Sequence, residues 1–243
     1  MPYDFNANPD PWSRPAFASA ARAEIDLGLR NYMLRVYNTM AAGLGLTGLV
    51  AYAAVATGFY QQIAHTPLIW VVMLAPLGVV LLLSFGIEKM SAATAHAVFW
   101  GYAALMGLSL AGIFQIYTGA SIARVFFISA ATFGATSLYG YATKRDLSQF
   151  GSFLFMGLIG IVLASLVNIF IGSSALQLAI SVIGVLVFTG LTAWDTQRIK
   201  EIYLESDTGD TLAKKALMGA LALYLDFINL FVMLLQLTGS RRQ

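Results

Sequence analysis

Apolar residues run along this chain in long unbroken stretches, without the strict alternation of a half-buried strand. Seven stretches approach or exceed the roughly 20 mostly apolar residues that a helix needs to cross the hydrocarbon core of a bilayer: residues 36–56, 67–87, 97–117, 125–142, 153–172, 175–194 and 216–237. The pattern predicts an all-α membrane protein of seven transmembrane helices with short connections. The first 35 residues break it. The segment MPYDFNANPDPWSRPAF carries four of the six prolines and reads as a mobile tail, and residues 18–35 suit an amphipathic helix leading into the first span. Two regions are therefore expected, a cytoplasmic tail over 1–31 and a bundle over 32–243. Because the polar tail precedes any apolar run, no cleavable signal peptide is expected and the first span serves as an uncleaved insertion signal.

Charge sharpens this picture. Only 11% of the residues are charged, against roughly a quarter in a soluble domain, which excludes an ordinary cytosolic enzyme; a disordered chain would need low hydrophobicity and high charge. A net charge of +2 offers no basic field for nucleic acid. There is no cysteine, so disulfides, thiolate nucleophiles and Cys-based metal sites are out. The two histidines, His65 and His96, are expected in solvated loops. No Gly-rich phosphate loop, HExxH, GxSxG or Ser/His/Asp constellation is present, so neither an enzyme nor a bound cofactor is expected. Asn38, Gln115 and Asn168 read as buried polar glue between helices, and Gly43, Gly45, Gly48, Gly157 and Gly160 as positions of close helix packing.

Cations set the orientation. Arg14, Arg22, Arg30, Arg35, Lys89, Lys144, Arg145, Arg198, Lys200, Lys214 and Lys215 fall on one side of the seven spans, and Arg124, Arg241 and Arg242 on the other. The N-terminus is accordingly placed in the cytoplasm and the C-terminus outside.

Most of the twelve acids lie in the tail or the cation-rich loops. Asp226 does not. It sits about eleven residues beyond Lys215, roughly 16 Å along a helix, and an aspartate at that depth costs roughly 2.5–3.5 kcal/mol even on the permissive insertion scale. It should face the bundle interior, on one helical stripe with Asn229 and Gln236. Asp195, in FTGLTAWDTQRIK, shares a polar face with Thr192 and Thr196, and Arg198 stands one turn further on. One reading brings Asp195 and Asp226 together across the sixth and seventh spans. Such a pair shares a proton and can sense pH, relay protons or coordinate a hard cation such as Ca²⁺. The other reading makes Asp226 a protonated packing donor and Asp195 a cap paired with Arg198. For the two acids to meet, the sixth helix must project past the membrane, since Asp195 is only five residues from Lys200.

The run GYAALMGLSLAGIFQIYTGASIARVFF and, more specifically, SLYGYATKRDLSQFG (137–151) and LTAWDTQRIK (191–200) resemble the Bax inhibitor-1 family, in its bacterial branch. The resemblance extends from about residue 32 to residue 237. It implies six helices surrounding a central seventh, residence in the cell (inner) membrane, and a pH-sensitive calcium leak controlled by an aspartate pair at the cytoplasmic end of the pore. Carried over residue by residue, that pair is Asp195 and Asp226, which would also be the Ca²⁺ contacts; Arg198, Thr192 and Asn229 are the candidate supporting residues. The family's bacterial channels have a basic latch in the second span. Here LIWVVMLAPLGVVLLLSFGI holds no Lys or Arg, leaving Arg198, and more remotely Arg35, as substitutes. Two alternatives use the same residues differently: a proton-coupled Ca²⁺/H⁺ exchanger, and a non-transporting regulator that binds membrane proteases or other membrane partners. The partners implied are the lipid bilayer, Ca²⁺ and protons.

Overall fold

A computed structural model of the chain describes residues 14–207 and 209–242, with side chains from Leu27 onward. Residues 1–13, most of the proline-rich tail, lie outside the described residues. The helices are α1 (Arg14–Ala56), α2 (Phe59–Ala64), α3 (Leu68–Gly86, extended by a 3₁₀ turn over Ile87–Lys89), α4 (Ala92–Leu110), α5 (Ile113–Ile116), α6 (Gly119–Ala142), α7 (Ser148–Ile171), α8 (Ser174–Glu201) and α9 (Gly209–Thr238). Each of the seven expected spans falls on a helix long and apolar enough to cross a bilayer.

Polar caps that hydropathy does not register start three of the helices. Ser91 accepts a hydrogen bond from the Thr94 N–H and starts α4, Thr118 does the same for Ser121 at α6, and Ser173 for Leu176 at α8. The early start of α4 corrects the expectation for His96. It is not in a loop but in the first turns of α4, half-buried, with Nδ1 2.8 Å from the Ala92 carbonyl; His65, at the end of α2, is exposed as expected. α1 is already helical at Arg14, the first described residue, inside the segment read as tail.

α9 is the most buried of the seven spans. α1, α4, α6 and α8 pack directly against it, while α3 packs chiefly on α4 and α7 on α8. On one side Tyr224 of α9 meets Phe99 and Tyr102 of α4 edge-on and lies 2.6 Å from the Thr47 hydroxyl of α1, which also reaches the Ala103 carbonyl of α4 at 2.8 Å. On another, Phe227 packs edge-on against Phe126 and Phe133 of α6. α3 and α7 turn Trp70, Leu77, Phe85, Phe153 and Phe170 outward. Apolar surface on that scale is untenable in water and ordinary against lipid.

α9 crosses the bundle as one 30-residue helix, so Arg241 and Arg242 lie at the cation-poor end. There the chain after α9 pairs with the α5–α6 junction through Thr118 N–H to Ser240 O (3.1 Å) and Arg242 N–H to Ile116 O (2.9 Å). Two of the three expected glue residues are corrected: Asn38 and Gln115 are exposed, because a polar residue's depth in a span says nothing of the face it occupies. Asn168 is half-buried and does tie elements together, donating to Gln177 Oε1 and accepting from the Ser173 N–H at the α7–α8 turn.

Candidate functional site

The most extensive helix pair in the fold is α8 with α9, and it brings Asp195 and Asp226 together. α8 continues to Glu201, six residues beyond Asp195, which supplies the projection that the meeting needs. Asp226 is 5% exposed. Its Oδ2 is out of contact with solvent and receives no N–H or O–H among the described residues. The half-buried Asp195 carboxyl faces that of Asp226 across the α8–α9 contact. Two carboxylates are both acceptors, so a bond between them exists only when one carries a proton. Two carboxyls this close in a low dielectric can titrate as a unit.

The candidate supporting residues are placed differently. Thr192 is buried and donates to the Phe188 carbonyl of its own helix at 2.8 Å; Asn229 donates to the Leu225 carbonyl at 2.9 Å. Arg198 is exposed, with its guanidinium over the Trp194 ring, 5.4 Å from the centroid. Arg35 is exposed on α1. The ion pairs among the described residues are Lys214–Asp210, at 3.2 Å, and Lys215–Asp207. Neither engages Asp195 or Asp226.

What holds the pair in register is a lock between the two motif segments. α6 crosses α8 so closely that a Cβ on Gly140 would lie 2.1 Å from the Ala193 carbonyl oxygen, two residues before Asp195, and one on Gly151 of α7 would lie 2.2 Å from the Trp194 ring. Gln197 spans the α6–α7 loop, accepting from the Leu147 N–H and donating to the Arg145 carbonyl, both at 2.8 Å. Lys200 donates to the Tyr141 carbonyl at 2.9 Å. In the same loop Asp146 accepts from Ser148, and those hydrogen bonds hold its carboxyl below the ordinary range.

A row of hydroxyls completes the lock. Tyr37 OH lies 2.7 Å from Ser137 Oγ, which lies 2.9 Å from Thr196 Oγ1, and Thr196 donates to the Thr192 carbonyl at 2.7 Å. Since Thr196 spends its proton there, Ser137 donates to Thr196 and Tyr37 to Ser137. The row runs from α1 through α6 into the turn of α8 that carries Asp195. Tyr37, Ser137, Gly140 and Gln197 escaped the sequence reading; the signal for the last three was their presence in the two motif segments.

The donor set also bears on metal binding. Among the described residues no group of three or more His, Cys, Asp or Glu is placed to hold a metal ion. Ca²⁺ takes six to eight oxygens, so two carboxyls could contact it only with water or carbonyls completing the shell, a weak site suited to a passing ion rather than a resident one.

A helical bundle of seven apolar spans, with one acid buried on its innermost helix and a second facing it from the helix beside it, defines an integral membrane protein built around a polar point in its core. The chain belongs to the Bax inhibitor-1 family: residues 29–243 match the family described as "Inhibitor of apoptosis-promoting Bax1". It is 51% identical over 219 residues to the inner membrane protein YbhL of Escherichia coli (strain K12), covering 88% of this chain and 94% of that one. It is 43% identical over 252 residues, 99% of both chains, to an uncharacterized protein of Caulobacter vibrioides, and 36% identical over 217 residues, 88% of this chain and 94% of the other, to an uncharacterized membrane protein of Streptococcus pyogenes.

Proposed function

We propose that this chain is a pH-sensitive calcium-leak channel of the inner membrane, gated by the Asp195–Asp226 pair, with its N-terminus and the pair's end of the bundle toward the cytoplasm. One observation carries the reading: a carboxyl buried on the innermost helix whose Oδ2 has no donor, facing a second carboxyl on the helix most extensively packed against it. For a purely structural bundle this is a costly arrangement. The orientation rests on eleven of the fourteen Lys and Arg residues falling at that end.

The sign of the pH dependence follows from counting protons. Fully protonated, the pair is neutral and offers a cation nothing. With one proton it carries a single negative charge and a hydrogen bond linking α8 to α9. With none it carries two negative charges side by side, which both repel the helices and attract a divalent cation. Flux therefore rises as pH rises through the pair's titration. Oxygen donors alone suit a hard cation such as Ca²⁺.

The test is Ca²⁺ flux through the purified protein in liposomes. Down a Ca²⁺ gradient with equal pH on both sides, flux is expected at alkaline pH and is expected to fall on acidification. Ca²⁺ driven uphill by an imposed pH gradient would make the chain an exchanger using the same pair. No flux at any pH would overturn both and favour a regulator that binds membrane proteases or other membrane partners.

A further inference from the structure

α1 and α6 each pack on α9, but the seam between them stays open to the lipid. At the cation-rich end a cavity of 640 Å³ lies in this seam, between Arg30, Met33 and Tyr37 on α1 and Phe133, Ser137 and Tyr141 on α6. The three α1 residues are spaced by three and four and so share one helical face. A second cavity of 660 Å³ continues along the same seam, sharing Phe133 and running on to Tyr52. From Arg30 to Tyr52 the furrow follows 22 residues of helix, roughly 33 Å at 1.5 Å per residue, about the thickness of the hydrocarbon core.

The furrow is open by construction of the sequence. Gly45 and Gly48 on α1 and Gly134 on α6 line it, and a Cβ at any of the three would meet nothing within 4 Å. Its walls are mostly apolar apart from the Tyr37–Ser137 pair and Tyr52, and at the cation-rich end Arg30 lines it together with Tyr141 in the last turn of α6. A slot of acyl-chain shape, opening sideways to the membrane, with a cation at headgroup level, matches one kind of molecule on both counts.

The geometry points to a bound phospholipid with a net negative headgroup, its phosphate on Arg30 and an acyl chain along the α1–α6 furrow past Ser137 to Phe133. The site is independent of whether the chain conducts ions. It does touch the conducting machinery proposed above, because the Tyr37–Ser137 hydrogen bond in its wall is the outer link of the hydroxyl row that ends beside Asp195. Arg35 provides the internal contrast: it is an exposed cation on the same helix and does not line the furrow.

The purified protein, titrated in detergent with palmitoyl-oleoyl phosphatidylglycerol or the matching phosphatidylcholine, reports the site as lipid adducts counted by native mass spectrometry. Wild type is expected to take its first phosphatidylglycerol about fivefold more readily than phosphatidylcholine, the preference one basic residue near the headgroups gives. Arg30→Gln is expected to erase that preference and Arg35→Gln to leave it. Gly134→Leu, which grows into open space and improves helix propensity, is expected to weaken the first adduct of both lipids severalfold. No headgroup preference in wild type, equal losses in Arg30→Gln and Arg35→Gln, or an undiminished first adduct in Gly134→Leu would each overturn the assignment.

Discussion

Gly140→Ala destabilises the protein by about 3 kcal/mol or more, while Gly134→Ala, six residues earlier on the same helix, leaves stability unchanged or raises it by up to about 1 kcal/mol through helix propensity. Both substitutions add one methyl group to α6. At Gly134 the methyl enters open space; at Gly140 it lands 2.1 Å from the Ala193 carbonyl oxygen, a backbone atom that moves only if α8 moves. The consequence extends beyond stability. To admit the methyl, α8 must back away from α6 at the turn preceding Asp195, loosening the Ser137–Thr196 hydrogen bond and the two Gln197 clamps on the α6–α7 loop. Thermal unfolding of the two variants in the same detergent checks the contrast, and equal midpoints would show that the α6–α8 crossing is not the tight point described.

Asp226→Asn abolishes the pH dependence of flux without unfolding the bundle. Asparagine has nearly the shape of aspartic acid and can donate from its amide to the Asp195 carboxylate, so the link between α8 and α9 survives while the proton that would make it switchable is gone. Two full negative charges about 4 Å apart repel by about 4 kcal/mol at an effective dielectric of about 20, and a bias of that size shifts a two-state equilibrium by about a thousandfold. Removing the second charge removes the bias. Liposome flux across roughly pH 5 to 9, the range over which coupled buried carboxyls titrate, is expected to be flat in Asp226→Asn and steep in wild type. A variant that retains the wild-type profile would place the sensor elsewhere.

The spans were legible because lipid imposes one rule on every residue facing it, and length plus apolarity expresses that rule directly. The ends of the helices were not, because Ser91, Thr118 and Ser173 act through single hydrogen bonds that leave no trace in hydropathy. Nor was the face of each helix. Asn38 and Gln115 sit within apolar runs yet are exposed; of the glycines expected at tight crossings, Gly43 meets Phe99 and Gly157 meets Val187, while Gly45, Gly48 and Gly160 face open space and further tight crossings fall at Gly107, Gly140 and Gly151. Within the site, Asp226 declared itself as an acid deep in an apolar helix, and Asp195 through its motif and the polar face it shares. The lock around them was hidden because its contacts join residues far apart in the chain: Tyr37 to Ser137 across 100 positions and Ser137 to Thr196 across 59. Arg198 shows the limit of local spacing. One turn from Asp195, it acts on that carboxyl through its charge alone, since its guanidinium lies on Trp194 and forms no ion pair among the described residues.

The central claim is that one proton sits between Asp195 and Asp226 and leaves as pH rises. Infrared difference spectroscopy of the protein in lipid reads this directly, since a protonated carboxyl and a carboxylate absorb at separate positions. Wild type is expected to show one protonated carboxyl band that is shielded from rapid deuterium exchange and disappears on alkalinisation. The band should shift in position and in its titration in both Asp226→Asn and Asp195→Asn, because either substitution removes one of the two carboxyls that share the proton. A band that persists unchanged in either variant, or its absence from wild type at every pH, would contradict the shared proton and with it the gating account.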